Sequence, residues 1–338
     1  MTVSATIRVM SPEEIATQSG GETPFMLLAD ARSVFAERAM RLRQLAAGHA
    51  MGDFLSFMAE LALAQQRAAS ALAPSPLPDA RELDDAARAG VPPLPCADWP
   101  RPAVWRDVAR TLALELSARA PAAGRARFDE MAGASDDWLE RQADCLFTGV
   151  MEGLDLATSA IVAAALQATW VQLVGRVQQR HAATGSAFGR TDDALACPCC
   201  GAQPVASITR FGGTATGQRY LACSVCATQW HLPRGRCAHC GSDKHVAYQS
   251  LAASSDPDAE AASARAAKAA VQAETCDDCH HYLKILHSDR DPLVDPVADD
   301  LATVTLDLLV SEAGLQRHGV NLMLLFGAPE SPPDRGGG

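Results

Sequence analysis

Aromatic side chains are scarce in this chain: Phe, Trp and Tyr together make up 5% of its 338 residues. With alanine abundant in their place, its helices are expected to pack closely. Long apolar runs are missing too. The longest, Ala160 to Leu166, lies in a segment interrupted by Asp155, Gln167 and Gln172, so no membrane insertion is predicted. There is no excess of basic charge. The formal net charge is −11, and residues 190 to 290 carry ten Lys/Arg against ten Asp/Glu. A nucleic-acid-binding module needs a basic face to neutralise phosphates, so no nucleic acid is expected as a partner. A nucleophile triad, a phosphate-cradling glycine loop and a paired-carboxylate arrangement are also lacking, so no catalytic residues are assigned. The stretch MTVSATIRVMSPEEI shows no basic segment followed by an apolar core. Without a secretory or twin-arginine signal there, the expected compartment is the reducing cytoplasm.

What the chain does have is cysteine in a pattern. Eight of its eleven cysteines fall into four Cys-x-x-Cys pairs within 83 residues: Cys197/Cys200, Cys223/Cys226, Cys237/Cys240 and Cys276/Cys279. Each such turn sets two thiolates on one side of a tight loop while backbone amides donate to the sulfurs. Two turns therefore make one tetrahedral four-thiolate site, and four make two. A redox dithiol would need one pair at a helix N-terminus in a βαβ context, which is not visible here. Cys199 in CPCCG reads as a non-ligand, and Cys96 and Cys145 as ordinary thiols.

The turns can pair in sequence or interleave. In the sequential pairing, PVASITR, FGGTATG and QRYLAC read as strand, turn and strand between Cys200 and Cys223. Their 22-residue gap is near the ~15–20 of a four-cysteine ribbon. Site one is then Cys197, Cys200, Cys223 and Cys226. TQWHLPRG leads to the third knuckle, HVAYQSL follows it, and AVQAETC and HHYLKIL flank the fourth. Site two is then Cys237, Cys240, Cys276 and Cys279, its 35-residue gap lengthened by an Ala/Ser/Asp insertion from Ala252 to Ala264, which costs little closure entropy. In the interleaved alternative the first knuckle joins the third and the second joins the fourth. Tetrahedral thiolate coordination suits both iron and zinc. His231, His239, His245, His280 and His281 surround the knuckles, but eight cysteines already fill two four-coordinate sites, so these histidines read as neighbours of the sites and not ligands.

The rest of the chain is helical in pattern. After a flexible start over residues 1 to 23, a helix is predicted from Pro24 through Leu28, Phe35, Leu42 and Leu45. A second begins near Asp53, a third is marked by Trp105, Val108, Leu112 and Leu116, and a fourth follows Ser135. A fifth, from about Asp155 to Arg176, is apolar nearly all round and is expected to form the buried centre of a bundle. ALAPSPLPDA reads as a linker running into a loop to about Pro102. Residues 182 to 194 read as a second linker, a last helix is predicted from Pro296 to Glu312, and the tail ESPPDRGGG as disordered.

The succession CPCCG, RYLACSVCATQWH, RCAHCG, CDDCHHYLK, DPLVDPVADDLA and LDLLVSEAGLQRHGVN resembles the FdhE-type formate dehydrogenase accessory proteins. The likeness is strong over residues 195 to 325 and weaker in RAMRLRQLAAGHA and DFLSFMAELALAQ. The resemblance implies an α+β protein: an N-terminal helical bundle, two tandem rubredoxin-like, zinc-ribbon-like four-cysteine metal modules and a C-terminal helix. It also implies iron in two mononuclear four-cysteine sites, no enzymatic activity, and interaction with the formate dehydrogenase catalytic subunit in the cytoplasm before export. Cys199 and the Ala-rich insertion depart from the usual pattern. The expected domains are 1–190 (helical), 191–235 and 236–290 (four-cysteine ribbons), 291–326 (C-terminal helix) and 327–338 (disordered). Two other functions compete with assembly: electron transfer by a rubredoxin-type iron centre, and nucleic-acid binding by a zinc ribbon, which the missing basic patch opposes. Oligomeric state is left open.

Overall fold

The computed structural model describes residues 23–120, 122–251 and 266–325. The expected flexible start, the Ala-rich insertion and the expected disordered tail lie outside the described residues, apart from a residue or two at their edges. Among the described residues, seven helices lie between Val34 and His181: α1 Val34–Ala46, α2 Gly52–Ala71, α3 Ala80–Arg88, α4 Val104–Ser117, α5 Ala122–Ala132, α6 Asp136–Thr148 and α7 Ser159–His181. Their centre is α7. From Ile161 to Val171 every side chain is buried, and α2, α4 and α6 pack around it. By length and composition α7 could cross a membrane, yet most of it is buried inside the protein. Ser135 caps α6 by accepting the Trp138 amide, and Gly149 ends it in the left-handed region, a start and stop the sequence states in full.

The structure corrects three sequence expectations. The first predicted helix begins at Val34, not Pro24, because Met26–Leu27 form a short strand (β1) paired with a distant QWH segment. The expected loop after the Pro-rich linker contains α3, started by a capping box in which Asp79 and Glu82 satisfy each other's backbone amides. The predicted C-terminal helix is two helices, α8 Pro296–Ala302 and α9 Val304–Glu312, separated at Thr303.

The remaining strands are β2 Pro204–Thr209, β3 Arg219–Cys223, β4 Gln229–His231, β5 Val246–Gln249, β6 Val271–Cys276, β7 His281–His287 and β8 Gln316–Arg317. They form one sheet in the order β1-β4-β3-β2-β7-β6-β5, with β8 also on β7. Within each ribbon the pairing is antiparallel. Between ribbons it is parallel, with Ser207, Ile208 and Thr209 opposite Ile285, Leu286 and His287. The two ribbons are thus halves of a continuous sheet. Where β2 departs from β7, β8 takes the same edge, with His281 and Tyr282 opposite Gln316 and Arg317. Just beyond β8, a Cβ at Gly319 would collide with the Pro204 carbonyl oxygen, so only glycine lets the chain cross there.

Ion pairs fasten this sheet to the helices. Lys284 of β7 has no exposed surface; its ammonium meets Asp300 at 3.2 Å and Asp307 at 2.5 Å. Arg317 reaches the same two carboxylates at 2.7 and 3.0 Å. Two cations against two anions leave this buried group neutral, the condition under which charge is tolerated inside a fold.

Candidate metal centres

All four knuckles share one backbone design. The residue after the second cysteine lies in the left-handed region each time: Gly201 (φ 71°), Ala227 (φ 57°), Gly241 (φ 73°) and His280 (φ 56°). In three of them its amide donates to the carbonyl of the first cysteine, Gly201 to Cys197 at 2.8 Å, Gly241 to Cys237 at 3.1 Å and His280 to Cys276 at 2.9 Å. This reversal turns both thiols of a pair to one side. Amides also point at sulfur: Val225 and Cys226 donate to Cys223 Sγ at 3.3 and 3.4 Å, and His239 donates to Cys237 Sγ at 3.4 Å.

The chain brings the knuckles together in sequence, first with second and third with fourth, as two clusters: Cys197, Cys200, Cys223, Cys226 and Cys237, Cys240, Cys276, Cys279. The interleaved pairing is not adopted. In the first cluster Cys197 and Cys226 sulfurs are 3.6 Å apart, Cys200 and Cys223 3.4 Å, and Cys200 and Cys226 3.6 Å. In the second, Cys237 and Cys279 are 3.7 Å apart and Cys240 and Cys276 3.8 Å. A tetrahedron with metal–sulfur bonds of about 2.3 Å has edges of about 3.8 Å. Both clusters therefore fit a single tetrahedral ion.

The electrostatics of the first cluster point the same way. Burial pushes the thiols of Cys197, Cys200 and Cys223 well above their ordinary range. At Cys226 burial acts in the same direction but is outweighed by hydrogen bonds from Cys197, Cys199, Cys200 and Cys223, which take it well below. Burial thus works against negative charge in this pocket. Four thiolates would need a cation among them, and a divalent ion supplies that.

The two clusters differ in surroundings. The first is sealed: its four cysteines are all buried, and the helical domain closes over them. Leu94 and Cys96 donate backbone hydrogen bonds to the carbonyls of Cys199 and Cys200 at 3.1 and 2.9 Å. Trp170 of α7 donates to the Leu94 carbonyl at 3.1 Å. Gln167 of α7 donates to the Ser224 carbonyl at 2.7 Å and accepts from Gln65 at 3.1 Å. The second cluster stands at the surface, with Cys240 exposed and Cys279 half-buried.

Cys199 falls outside both clusters. It is fully buried, its thiol donates to Met26 Sδ at 3.5 Å, and it accepts from the Thr228 hydroxyl at 3.6 Å. Cys96 is buried beside the first cluster, and Cys145 lies on α6 with its thiol toward the Glu152 carbonyl at 3.6 Å. Among the histidines, His231 bonds Gln218 at 3.1 Å and His245 bonds Asp278 at 3.2 Å. His239 and His281 stand together against Cys279. Sequence spacing did not single out that trio, because its members come from two different knuckles.

A helical domain closed over one half of a sheet that carries two four-cysteine clusters defines the class, a double four-cysteine ribbon protein. Family-wide comparison names the family within that class. Residues 23–186 match the N-terminal FdhE domain, residues 196–234 the central domain and residues 236–324 the C-terminal domain. An FdhE homolog from Serratia proteamaculans is 35% identical over 327 residues, covering 95% of this chain and 99% of that protein. One from Pseudomonas aeruginosa is 35% identical over 322 residues, covering 94% and 98%. The crystal structure of the FdhE protein from Pseudomonas aeruginosa superposes with a TM-score of 0.74 at 33% identity, over 90% of this chain and all of that one. The chain belongs to the FdhE family.

Proposed function

We propose that this protein is an accessory factor for forming active respiratory formate dehydrogenase. It binds the catalytic subunit in the cytoplasm before export and performs no catalysis of its own. The observation that carries this reading is family membership along the whole chain, the helical domain included. Eleven free cysteines, eight of them in metal-type clusters, suit a reducing compartment.

Cys197, Cys200, Cys223 and Cys226 hold one ion, and Cys237, Cys240, Cys276 and Cys279 a second. Iron is the proposed metal and zinc the alternative. At the first cluster the ion fixes the ribbon against α7 and the segment around Leu94. At the second it holds β5, β6 and β7 together at the surface. Co-purification of the formate dehydrogenase catalytic subunit with tagged protein from anaerobic cells tests the function. The expected result is recovery of that subunit in its unexported form, and restored enzyme activity in cells that lack their own FdhE. Absence of both rejects the reading.

A second reading is electron transfer. It draws on the exposure of Cys240, which gives an ion in the second cluster a short path to a docked partner. A reversible one-electron couple in the iron-loaded protein would support it, and a redox-silent metal would remove it.

A further inference from the structure

Three imidazoles that the tetrathiolate does not use stand beside the second cluster. His239, inside the third knuckle, and His281, at the start of β7, stack with ring centroids 3.7 Å apart and planes 10° apart. His318, just past β8, meets His239 edge-on at 5.0 Å. One donor nitrogen from His239, one from His281 and Cys279 Sγ all lie within 4.8 Å of one another. His281 Nδ1 is engaged with the Cys279 carbonyl at 2.7 Å, which leaves Nε2 as its free donor. His318 Nε2 is buried with no hydrogen-bond partner. A cavity of about 10 Å³ is lined by members of both sets, Cys237, His239, Cys276, His281 and His318 among them. That is room for about one water-sized particle.

Packing alone accounts for two stacked rings. It does not account for an orphaned buried nitrogen beside them, nor for a cysteine common to two donor sets. Imidazole and thiolate together are a borderline-soft set suited to zinc, iron and their neighbours in the first transition row. The stack sets the two imidazole donors side by side, so a shared ion requires one ring to turn. His239 is exposed and has room to do so.

We propose that His239, His281 and Cys279 form an outer capture site for a divalent transition-metal ion, which then passes into the second tetrathiolate cluster. Cys279 gives up its thiol proton to solvent on capture and keeps its bond to the ion throughout. The imidazoles of His239 and His281 leave as Cys237, Cys240 and Cys276 bind, and the protons of those thiols go to solvent. No electron moves. The first cluster has no such trio of its own among the described residues. This inference rests on the reading that the second cluster holds a metal.

The test uses full-length metal-free protein without oxygen, mixed rapidly with Co(II) while the thiolate-to-cobalt charge-transfer band is followed. His239→Phe with His281→Phe keeps two stacked aromatic rings and removes both donors. His239→Ala, at an exposed position, covers the case in which the double variant does not fold. The expected result is two cobalt ions per chain at equilibrium in every protein, with half of the amplitude in the variants growing roughly tenfold more slowly. Loading of both variants at the wild-type rate overturns the capture step and leaves the tetrathiolate reading intact. Wild-type protein that forms no tetrathiolate cobalt at the second cluster overturns both.

Discussion

Arg41 and Asp299, 258 residues apart in the chain, are joined by two hydrogen bonds: Arg41 Nε donates to one carboxylate oxygen at 2.9 Å and Nη2 to the other at 2.6 Å. Asp300, the next residue, pairs instead with Lys284 and Arg317 of the sheet. The two adjacent aspartates therefore hold opposite sides of the molecule, one the helical domain and one the β-structure. Burial raises the Asp299 carboxyl despite its bonds to Arg41, which shows how strongly the site depends on the cation. Arg41→Ala should cost on the order of 3 kcal/mol by urea unfolding, since it strands a buried carboxylate. Arg41→Met combined with Asp299→Leu should recover much of that loss. A single variant as stable as the wild type would contradict this account.

The unequal enclosure of the two clusters predicts unequal metal release. With zinc bound at both, a chromogenic chelator should take up one equivalent quickly and the other far more slowly, the fast one from the cluster that contains Cys240. Cys240→Ser should abolish the fast phase and leave helix content and most tertiary signal intact. Cys223→Ser should reach further, because β3 lies at the centre of its ribbon and the neighbouring Ser224 carbonyl holds Gln167 of α7. Release of both equivalents at one rate would show that enclosure does not govern exchange.

The shared knuckle geometry gives a prediction with opposite signs at two positions. Ala227 occupies the left-handed region without glycine's freedom, so Ala227→Gly should stabilise the protein by about 0.5–1 kcal/mol. Gly201→Ala meets the same backbone demand and also sets a Cβ 3.3 Å from Pro92. It should destabilise by at least about 1 kcal/mol. Thermal melts of the metal-loaded variants check both signs.

His287 gives a pH dependence. Burial, reinforced by Arg290 and Arg234 and opposed by Asp289, brings its pKa down from 6.5 to about 4. The unfolded chain therefore binds a proton that the folded chain refuses between these values. Stability rises with pH across that window, and is lost as pH falls from about 6.5 to about 4, by on the order of 3 kcal/mol at the acid end. His287→Gln should flatten this part of the profile. Comparing unfolding free energies of wild type and variant from pH 7 to pH 4, both in the metal-free form, isolates the effect from thiolate protonation. Parallel profiles would show that His287 does not carry it.

The legible part of the molecule was the part whose signals are local. Four Cys-x-x-Cys turns announce themselves by spacing, and the strands between them by β-branched runs ending in turns. Helices α2, α4, α6 and α7 follow from apolar periodicity. What escaped depends on distant partners. The strand at Met26–Leu27 exists only because Gln229 and Trp230 lie opposite it, and its own residues read equally well as the start of a helix. The parallel contact of β2 with β7 has no sequence sign at all. Helix α3 was a different kind of miss. Three prolines before it suggested a linker, while the Asp79–Glu82 capping signal was there to be read, and a single buried residue, Leu83, gave almost no apolar stripe. At the second cluster each histidine was visible singly, but the stack of His239 on His281 arises from the pairing of the third knuckle with the fourth.

The N-terminal strand β1 can form only on β4, more than 200 residues later, and Arg41 of α1 finds Asp299 later still. During synthesis these partners leave the ribosome in a fixed order, and the last contact waits for nearly the whole chain. Most of the helical domain, α1 packed on α2 included, is complete by then, whereas the tie from Arg41 to α8 is not yet made. The emerging polypeptide therefore lacks its last tie until nearly all of it has appeared, whereas the groups that close over the first cluster, Leu94, Cys96, Gln167 and Trp170, precede Cys197 and await it as its cysteines emerge.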